Sequence, residues 1–263
     1  MASSDRISRF SRLEIESEAL TQARPEDTLK GESHYFEEAE TFFRQGDYES
    51  ALRFYAKVLE HNPSRAAAWS GQVRMLIELG EFPEARLWAD KALERFPKDP
   101  ELLAAKAVAL SRLGDLRAAL AYSDASFEEK GDTAYVWLAR GDIMLARKEK
   151  RADACFERAR LLSRKDWFVE WLISRVYFYY RHFAAALASV QSVLCAEAGR
   201  AQIWIHTGLC QQELGMTAVA LASYQRAYEL EPHQEKARVL YRSLKEAGWW
   251  NTLRARWGRW TTR

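Results

Sequence analysis

The chain offers few side chains that could work together as a nucleophile and a general base. His182 and Cys195 could form a thiol–imidazole pair, but each is expected in a helix of its own, with no third residue placed to orient the ring. The sequence contains no HExxH, no GxSxG and no glycine-rich phosphate loop. The histidines are scattered along the chain, at His34, His61, His182, His206 and His233. We therefore expect no catalytic residues and no enzymatic activity.

The cysteines argue against metal or disulfide chemistry. Cys155, Cys195 and Cys210 are odd in number and have no CxxC spacing, so neither a disulfide framework nor a zinc site is expected. We expect buried thiols in a reducing compartment, with no metal and no cofactor.

Charge and hydropathy limit the classes of partner that the protein is expected to bind. The net charge of +2 gives no global field that would attract nucleic acid or a membrane, so nucleic acid is not favoured. The N-terminus lacks the apolar run of about 7 to 15 residues of a signal peptide. No segment approaches the roughly 18 apolar residues of a membrane span. These features predict a cytoplasmic protein.

Small and turn-forming residues recur with a period of 34. "QGDYESALRFYAKVLEHNP" at 45–63 aligns with "LGEFPEARLWADKALERFP" at 79–97, and "LGDLRAALAYSDASFEEKG" and "LGMTAVALASYQRAYELEP" repeat the pattern later. An alanine opens the second half of each unit, and a tryptophan stands early in four of them. The alanines are Ala51, Ala85, Ala119, Ala152, Ala186 and Ala220; the tryptophans are Trp69, Trp137, Trp171 and Trp204.

Each unit is predicted to form two helices. Apolar residues such as Trp69, Val73 and Leu76 recur at the spacing of one helical face. Glycines such as Gly80 suit the reversal between the helices, because glycine adopts a left-handed conformation at little cost. Proline after the second helix prevents its continuation. The alanines allow the paired helices to approach closely.

This pattern resembles the tetratricopeptide repeat. The resemblance implies an all-α, right-handed superhelical solenoid of helical hairpins with a C-terminal capping helix. Repeats four and five, with "LARKEKRADA" and "YYRHFAAA", lack the turn glycine, and we expect a different local twist there. The predicted segments are an N-terminal arm at 1–31, repeats at 32–65, 66–99, 100–133, 134–167, 168–200 and 201–234, a cap at 235–247 and a tail at 248–263.

The resemblance implies that the first helix of each repeat lines a concave groove. This groove is expected to bind a peptide or an amphipathic helix of a partner protein. The groove is expected to be charged in repeats one to three and apolar in repeats four to six. The lysine and asparagine clamp of chaperone-tail-binding members is absent. In the alternative interpretation, packing between helices buries all the aromatic side chains of "WLISRVYFYYRHF" at 171–183. The predicted partner-binding residues are Arg74, Arg112, Tyr135, Leu138, Leu172, Val176, Tyr179, Tyr180 and Ile205.

The tail "GWWNTLRARWGRWTTR" is the second candidate interaction segment. It can extend the cap, dock or oligomerise with a partner, or bind an anionic membrane surface through arginine and interfacial tryptophan. The function is thus predicted to be that of a scaffold or adaptor, the alternative being a regulatory or membrane-peripheral subunit acting through this tail. Its candidate residues are Trp249, Trp250, Arg254, Trp257, Arg259 and Trp260. The N-terminal arm is either solvated or folded over the groove.

Overall fold

A computed structural model describes residues 31–164 and 166–258, with side chains up to residue 246. Over this range the chain forms helices and no strand, so the predicted all-α solenoid is confirmed. The helices are α1 (Glu32–Gln45), α2 (Tyr48–His61), α3 (Ala66–Leu79), α4 (Phe82–Arg95), α5 (Pro100–Arg112), α6 (Leu116–Glu128), α7 (Ala134–Ala146), α8 (Ala152–Leu162), α9 (Trp167–Tyr179), α10 (Phe183–Glu197), α11 (Ala201–Glu213), α12 (Thr217–Leu230) and α13 (Glu235–Gly258).

The helices pack as six consecutive hairpins. The two helices of each hairpin, from α1–α2 to α11–α12, contact each other, and each hairpin contacts the first helix of the next. The first helices of hairpins two to five also contact their neighbours, α3 with α5, α5 with α7 and α7 with α9. Helix α13 packs on α12 and continues to Gly258, so the helix that follows the last hairpin includes part of the predicted tail.

The turn inside each hairpin uses one residue with a left-handed backbone. Four hairpins use Gly46, Gly80, Gly114 and Gly215, with φ between 75° and 91°. In the fourth and fifth hairpins Lys148 and Arg181 take this conformation, with φ of 59° and 62°. An L-residue pays about 1–2 kcal/mol for such a backbone. The missing glycines therefore leave the left-handed turn in place and add local strain.

Glycine lets two aromatic rings approach the first helix of their own hairpin. A Cβ atom added to Gly141 would lie 2.3 Å from the ring of Phe156, and one added to Gly208 would lie 2.4 Å from the ring of Tyr224. Both rings are fully buried. The alanines that open each second helix are fully or almost fully buried, as expected for close packing: Ala51, Ala85, Ala119, Ala152, Ala186 and Ala220.

The four early tryptophans are not equivalent, although the sequence pattern predicted that they would be. Trp69, Trp137 and Trp204 stand fourth in their helices, and their indole N–H groups donate to the preceding loop at 2.7–2.9 Å. Trp171 stands fifth in α9, which turns it by about 100° around the helix. Its side chain is 2% exposed, and its Nε1 has no hydrogen-bond partner among the residues that the structure describes. Trp171 therefore packs inside the solenoid, against the ring of His206.

The three cysteines are free thiols. Cys155 and Cys210 are buried, as expected, and burial raises the pKa of both thiols. Cys195 is exposed near the end of α10, so the prediction of a buried thiol is wrong at this position.

Candidate functional site

The first hairpin contacts the fifth and sixth across the inside of the solenoid. Arg44 at the end of α1 forms an ion pair with Asp166, the residue before α9. Gln202 of α11 donates from Nε2 to the main-chain oxygen of Arg44 at 3.0 Å. The ring of Phe43 meets the ring of Phe168 edge-on at 4.8 Å. The two ends of the repeat array thus touch each other.

Further contacts fill the inner wall between these ends. Arg175 of α9 donates from Nε to Glu78 of α3 at 2.7 Å. Arg112 of α5 forms a buried ion pair with Asp142 of α7. The charged wall expected in the first three repeats therefore faces the wall of the last three and packs against it.

The predicted groove residues mostly belong to this packed wall. Leu138, Leu172 and Val176 are buried in one core cluster with Phe43 and Phe168. Two spaces remain beside them, one of about 40 Å³ that all three residues line and one of about 240 Å³ that Leu138 and Leu172 line. These three side chains therefore contribute to packing between distant repeats, about which the periodicity of one repeat carries no information, and their part in partner binding stays a prediction.

The remaining predicted groove residues have partners within the protein. The Arg74 guanidinium lies over the Tyr135 ring at 4.1 Å, and the Arg112 guanidinium lies over the Tyr179 ring at 3.4 Å. The Tyr180 hydroxyl donates to Asp142 at 2.7 Å. Of these aromatic side chains, Tyr179 is the one that stays substantially open to solvent, with 47% of its surface exposed.

An open pocket of about 790 Å³ lies at the edge of the solenoid where its ends meet. We call it the edge pocket. The turn between α1 and α2 forms one wall, and α9, α11 and the start of α13 form the others. Two predicted residues, Tyr179 and Ile205, line it. Its apolar and aromatic lining consists of Tyr48, Trp171, Phe178, Tyr179, Phe183, Ile205 and Leu209.

A serine and a histidine come together beside the edge pocket. The Ser174 hydroxyl donates to the main-chain oxygen of Ala186 at 2.7 Å, so its lone pairs face His206 Nε2 at 2.9 Å and the imidazole is the donor there. Burial, together with the positive charge of Arg175, lowers the pKa of His206 to about 3. The Ser174 hydroxyl donates its proton to a carbonyl and His206 is a weak base, so the two residues form a structural pair and Ser174 is not an activated nucleophile.

His206 should make the stability of the protein depend on pH. Its pKa is depressed on folding, so its contribution is complete above the unfolded value near 6.5 and is lost as the pH falls toward 3. Between pH 7.5 and 5.5 we expect the wild type to lose about 1 kcal/mol more unfolding free energy than His206→Gln. Urea unfolding at both pH values measures this difference. Parallel pH profiles of the two proteins would contradict the assignment.

The predicted tail residues cannot be placed in the site. Trp249, Trp250, Arg254 and Trp257 lie on the part of α13 whose side chains are not described. Arg259 and Trp260 lie outside the described residues, as does most of the N-terminal arm. Membrane or partner contact by the tail stays a prediction. In the described part of the chain, every helix is too short or too polar to span a bilayer.

Comparison with known proteins identifies the repeats. The family model described as "Tetratricopeptide repeat" matches residues 36–100. No curated protein matches the chain. Among solved structures, a chain of the APC/C hetero-tetramer Cut9–Hcn1 has a TM-score of 0.51 at 16% identity, over 90% of this chain and 46% of that one. This protein therefore spans less than half the length of that chain.

Two bacterial proteins match over most of their length. A tetratricopeptide repeat protein from Parabacteroides merdae has a TM-score of 0.51 at 16% identity, over 88% of this chain and 89% of that one. The thermophilic protein TTC0263 from Thermus thermophilus has a TM-score of 0.50 at 20% identity, over 81% and 98%. At these identities the likeness shows the fold. The chain therefore matches the tetratricopeptide-repeat family by sequence over residues 36–100, and its six hairpins have the fold of tetratricopeptide-repeat proteins.

Proposed function

We propose that the protein is a non-catalytic scaffold or adaptor that binds a peptide or an amphipathic helix of a partner protein in the edge pocket. Tetratricopeptide-repeat proteins commonly bind protein partners, which supports the general function. The observation that carries the choice of site is the open, aromatic edge pocket, whose volume of about 790 Å³ exceeds the spaces of about 40 and 240 Å³ left along the inner wall. A cytoplasmic location remains a prediction.

The composition of the edge pocket suits a protein segment. Aromatic rings such as Tyr179 and Phe183 offer large contact areas at little cost in conformational entropy, and they are enriched where partners bind. Its volume is within the range of pockets that enclose a ligand. The pocket has walls from the first and the last hairpins, so it exists in this form because the solenoid closes. Binding there would therefore also stabilise the closed arrangement.

Partner capture by paired variants tests this proposal. The wild type, Tyr179→Ser and Leu87→Ser would be immobilised in turn, and proteins retained from the native cell lysate identified by mass spectrometry. Leu87 is a matched control because it is 51% exposed on α4, outside the edge pocket. We expect a set of proteins held by the wild type and Leu87→Ser and lost from Tyr179→Ser. The same proteins bound to all three would place the site elsewhere.

Tyr179 also contacts Arg112, so the variant needs a folding control. Circular dichroism melting should show the helical content of Tyr179→Ser unchanged at the temperature of capture. A more conservative variant, Tyr179→Leu, keeps apolar cover over the guanidinium and removes the aromatic ring. Capture that is weak in both variants while both are folded would support the pocket, and normal capture by both would argue against it.

A further inference from the structure

Two positively charged side chains, Arg175 and Lys236, line one end of the edge pocket. Lys236, at the start of α13, makes no ion pair and no hydrogen bond among the described residues. Burial and the nearby Arg175 lower the pKa of its ammonium group, and no carboxylate raises it. Arg175 and Lys236 both lower the pKa of His206. Both cations therefore lie close enough to His206 for their charges to act on it, at the end of the pocket that all three residues line.

Each carboxylate in or beside the pocket has a partner other than Lys236. Glu78 is already paired with Arg175. Glu213 lies 3.9 Å from Arg181, at the limit of an ion pair, and the Arg181 side chain is exposed. Asp47 accepts a hydrogen bond from the main-chain nitrogen of Ser50, at the start of α2.

We propose that the edge pocket selects a partner segment in which an acidic side chain stands beside an aromatic or aliphatic one. The carboxylate lies against Lys236 and Arg181, and the apolar side chain packs on Tyr179, Phe183 and Leu209. This inference rests on the proposed function and specifies the chemistry of its partner. The proposed acidic contact differs from the predicted groove contacts, because the cations that would bind the carboxylate come from the turn after α9 and from α13.

Charge complementarity excludes one occupant that the chain itself could supply. The segment "GWWNTLRARWGRWTTR" carries arginines and no acidic residue. Placed in the pocket, in this chain or from a second copy, it would bring further positive charge to Arg175 and Lys236. Like charges in a partly desolvated site repel each other. An acidic segment would instead be attracted to these cations.

Selection from a random peptide library tests the inference. A phage library of 12-residue peptides would be selected on the immobilised full chain, and the enriched peptides synthesised. We expect Asp or Glu next to an aromatic or aliphatic residue. Enriched peptides that are basic or uncharged, and that fail to bind Tyr179→Ser, would overturn the acidic specificity while supporting the pocket. Absence of any peptide sensitive to Tyr179→Ser would contradict the proposed function as well.

Charge variants provide the quantitative test with the synthesised peptides. Lys236→Gln should weaken binding by about tenfold, as expected for loss of a hydrogen bond to a charged group. Lys245→Gln is the matched control, because Lys245 is on the same helix but outside the pocket. Glu213→Gln should strengthen binding, because it releases Arg181 from its carboxylate partner. Equal affinity for Lys236→Gln and Lys245→Gln, or weaker binding by Glu213→Gln, would overturn the inference.

Discussion

Arg112→Met is expected to lower the free energy of unfolding by about 3–5 kcal/mol. Arg112 and Asp142 form an ion pair on the inner wall, and the side chain of Asp142 is 4% exposed. Removing the guanidinium leaves a buried carboxylate whose remaining partner is the Tyr180 hydroxyl. It also removes the cation that lies over the Tyr179 ring. Urea or thermal unfolding of purified protein measures the loss.

A second substitution separates the uncompensated charge from the lost packing. Arg112→Met combined with Asp142→Asn should be more stable than Arg112→Met alone, because the amide oxygen still accepts from Tyr180 and no charge is buried. The destabilisation by the two substitutions should thus be less than the sum of the single effects. Additive effects would show that the carboxylate keeps enough solvent to bear its charge, contrary to the buried geometry of the pair.

The sequence could predict the local features of the repeats, but not the ion pair between Arg112 and Asp142. The hairpins, their turn glycines and their buried alanines follow from a local pattern of spacing, because each unit repeats the same contacts with its neighbours. Even the replacement of glycine by Lys148 and Arg181 is a local matter of backbone strain. These features were accessible from the residues of one unit and the next.

The closure of the solenoid was not accessible in this way. Arg44 and Asp166 are 122 positions apart, and nothing in either repeat marks them as partners. Curvature accumulates from small rotations between successive repeats, so the meeting of the ends depends on geometry that no single repeat encodes. The edge pocket was missed for the same reason. Tyr48 stands at a turn and Lys236 at the start of the cap, and closure gives them a common site.

Trp171 shows how a shift of one residue changes an interpretation. Its spacing of 34 from Trp137 suggests the same role, but α9 begins 33 residues after α7. The signal was the residue missing from the fourth repeat, although the sequence alone did not locate it within the unit. The shift brings an indole to the inner wall, where it contacts His206 and forms part of the edge pocket.

Phe156→Ala should lower the free energy of unfolding by about 3–5 kcal/mol. The ring of Phe156 is fully buried in the fourth hairpin, and it fills the space over Gly141. Alanine would leave a cavity there, because the helix backbone on either side is held by its own hydrogen bonds and collapses only in part. Chemical denaturation gives the loss, and a change below about 1 kcal/mol would indicate that the hairpin repacks.

Gly141→Ala should change the free energy of unfolding in opposite directions in the wild type and in Phe156→Ala. In the wild type the added methyl group would meet the Phe156 ring at 2.3 Å. Overpacking costs about 1–3 kcal/mol, more than the roughly 1 kcal/mol that alanine contributes to a helix over glycine. In Phe156→Ala the ring is gone, the methyl group partly fills the cavity, and the same substitution should stabilise the protein.

Gly199→Ala is the control for this sign change, because an added Cβ atom there would have no neighbour within 4 Å. Its effect should be small and equal in both backgrounds. If Gly141→Ala destabilises Phe156→Ala as much as it does the wild type, the ring is not what excludes a side chain at residue 141. If the sign reverses, the glycine and the aromatic ring act as one unit, and the same reasoning applies to Gly208 and Tyr224 in the sixth hairpin.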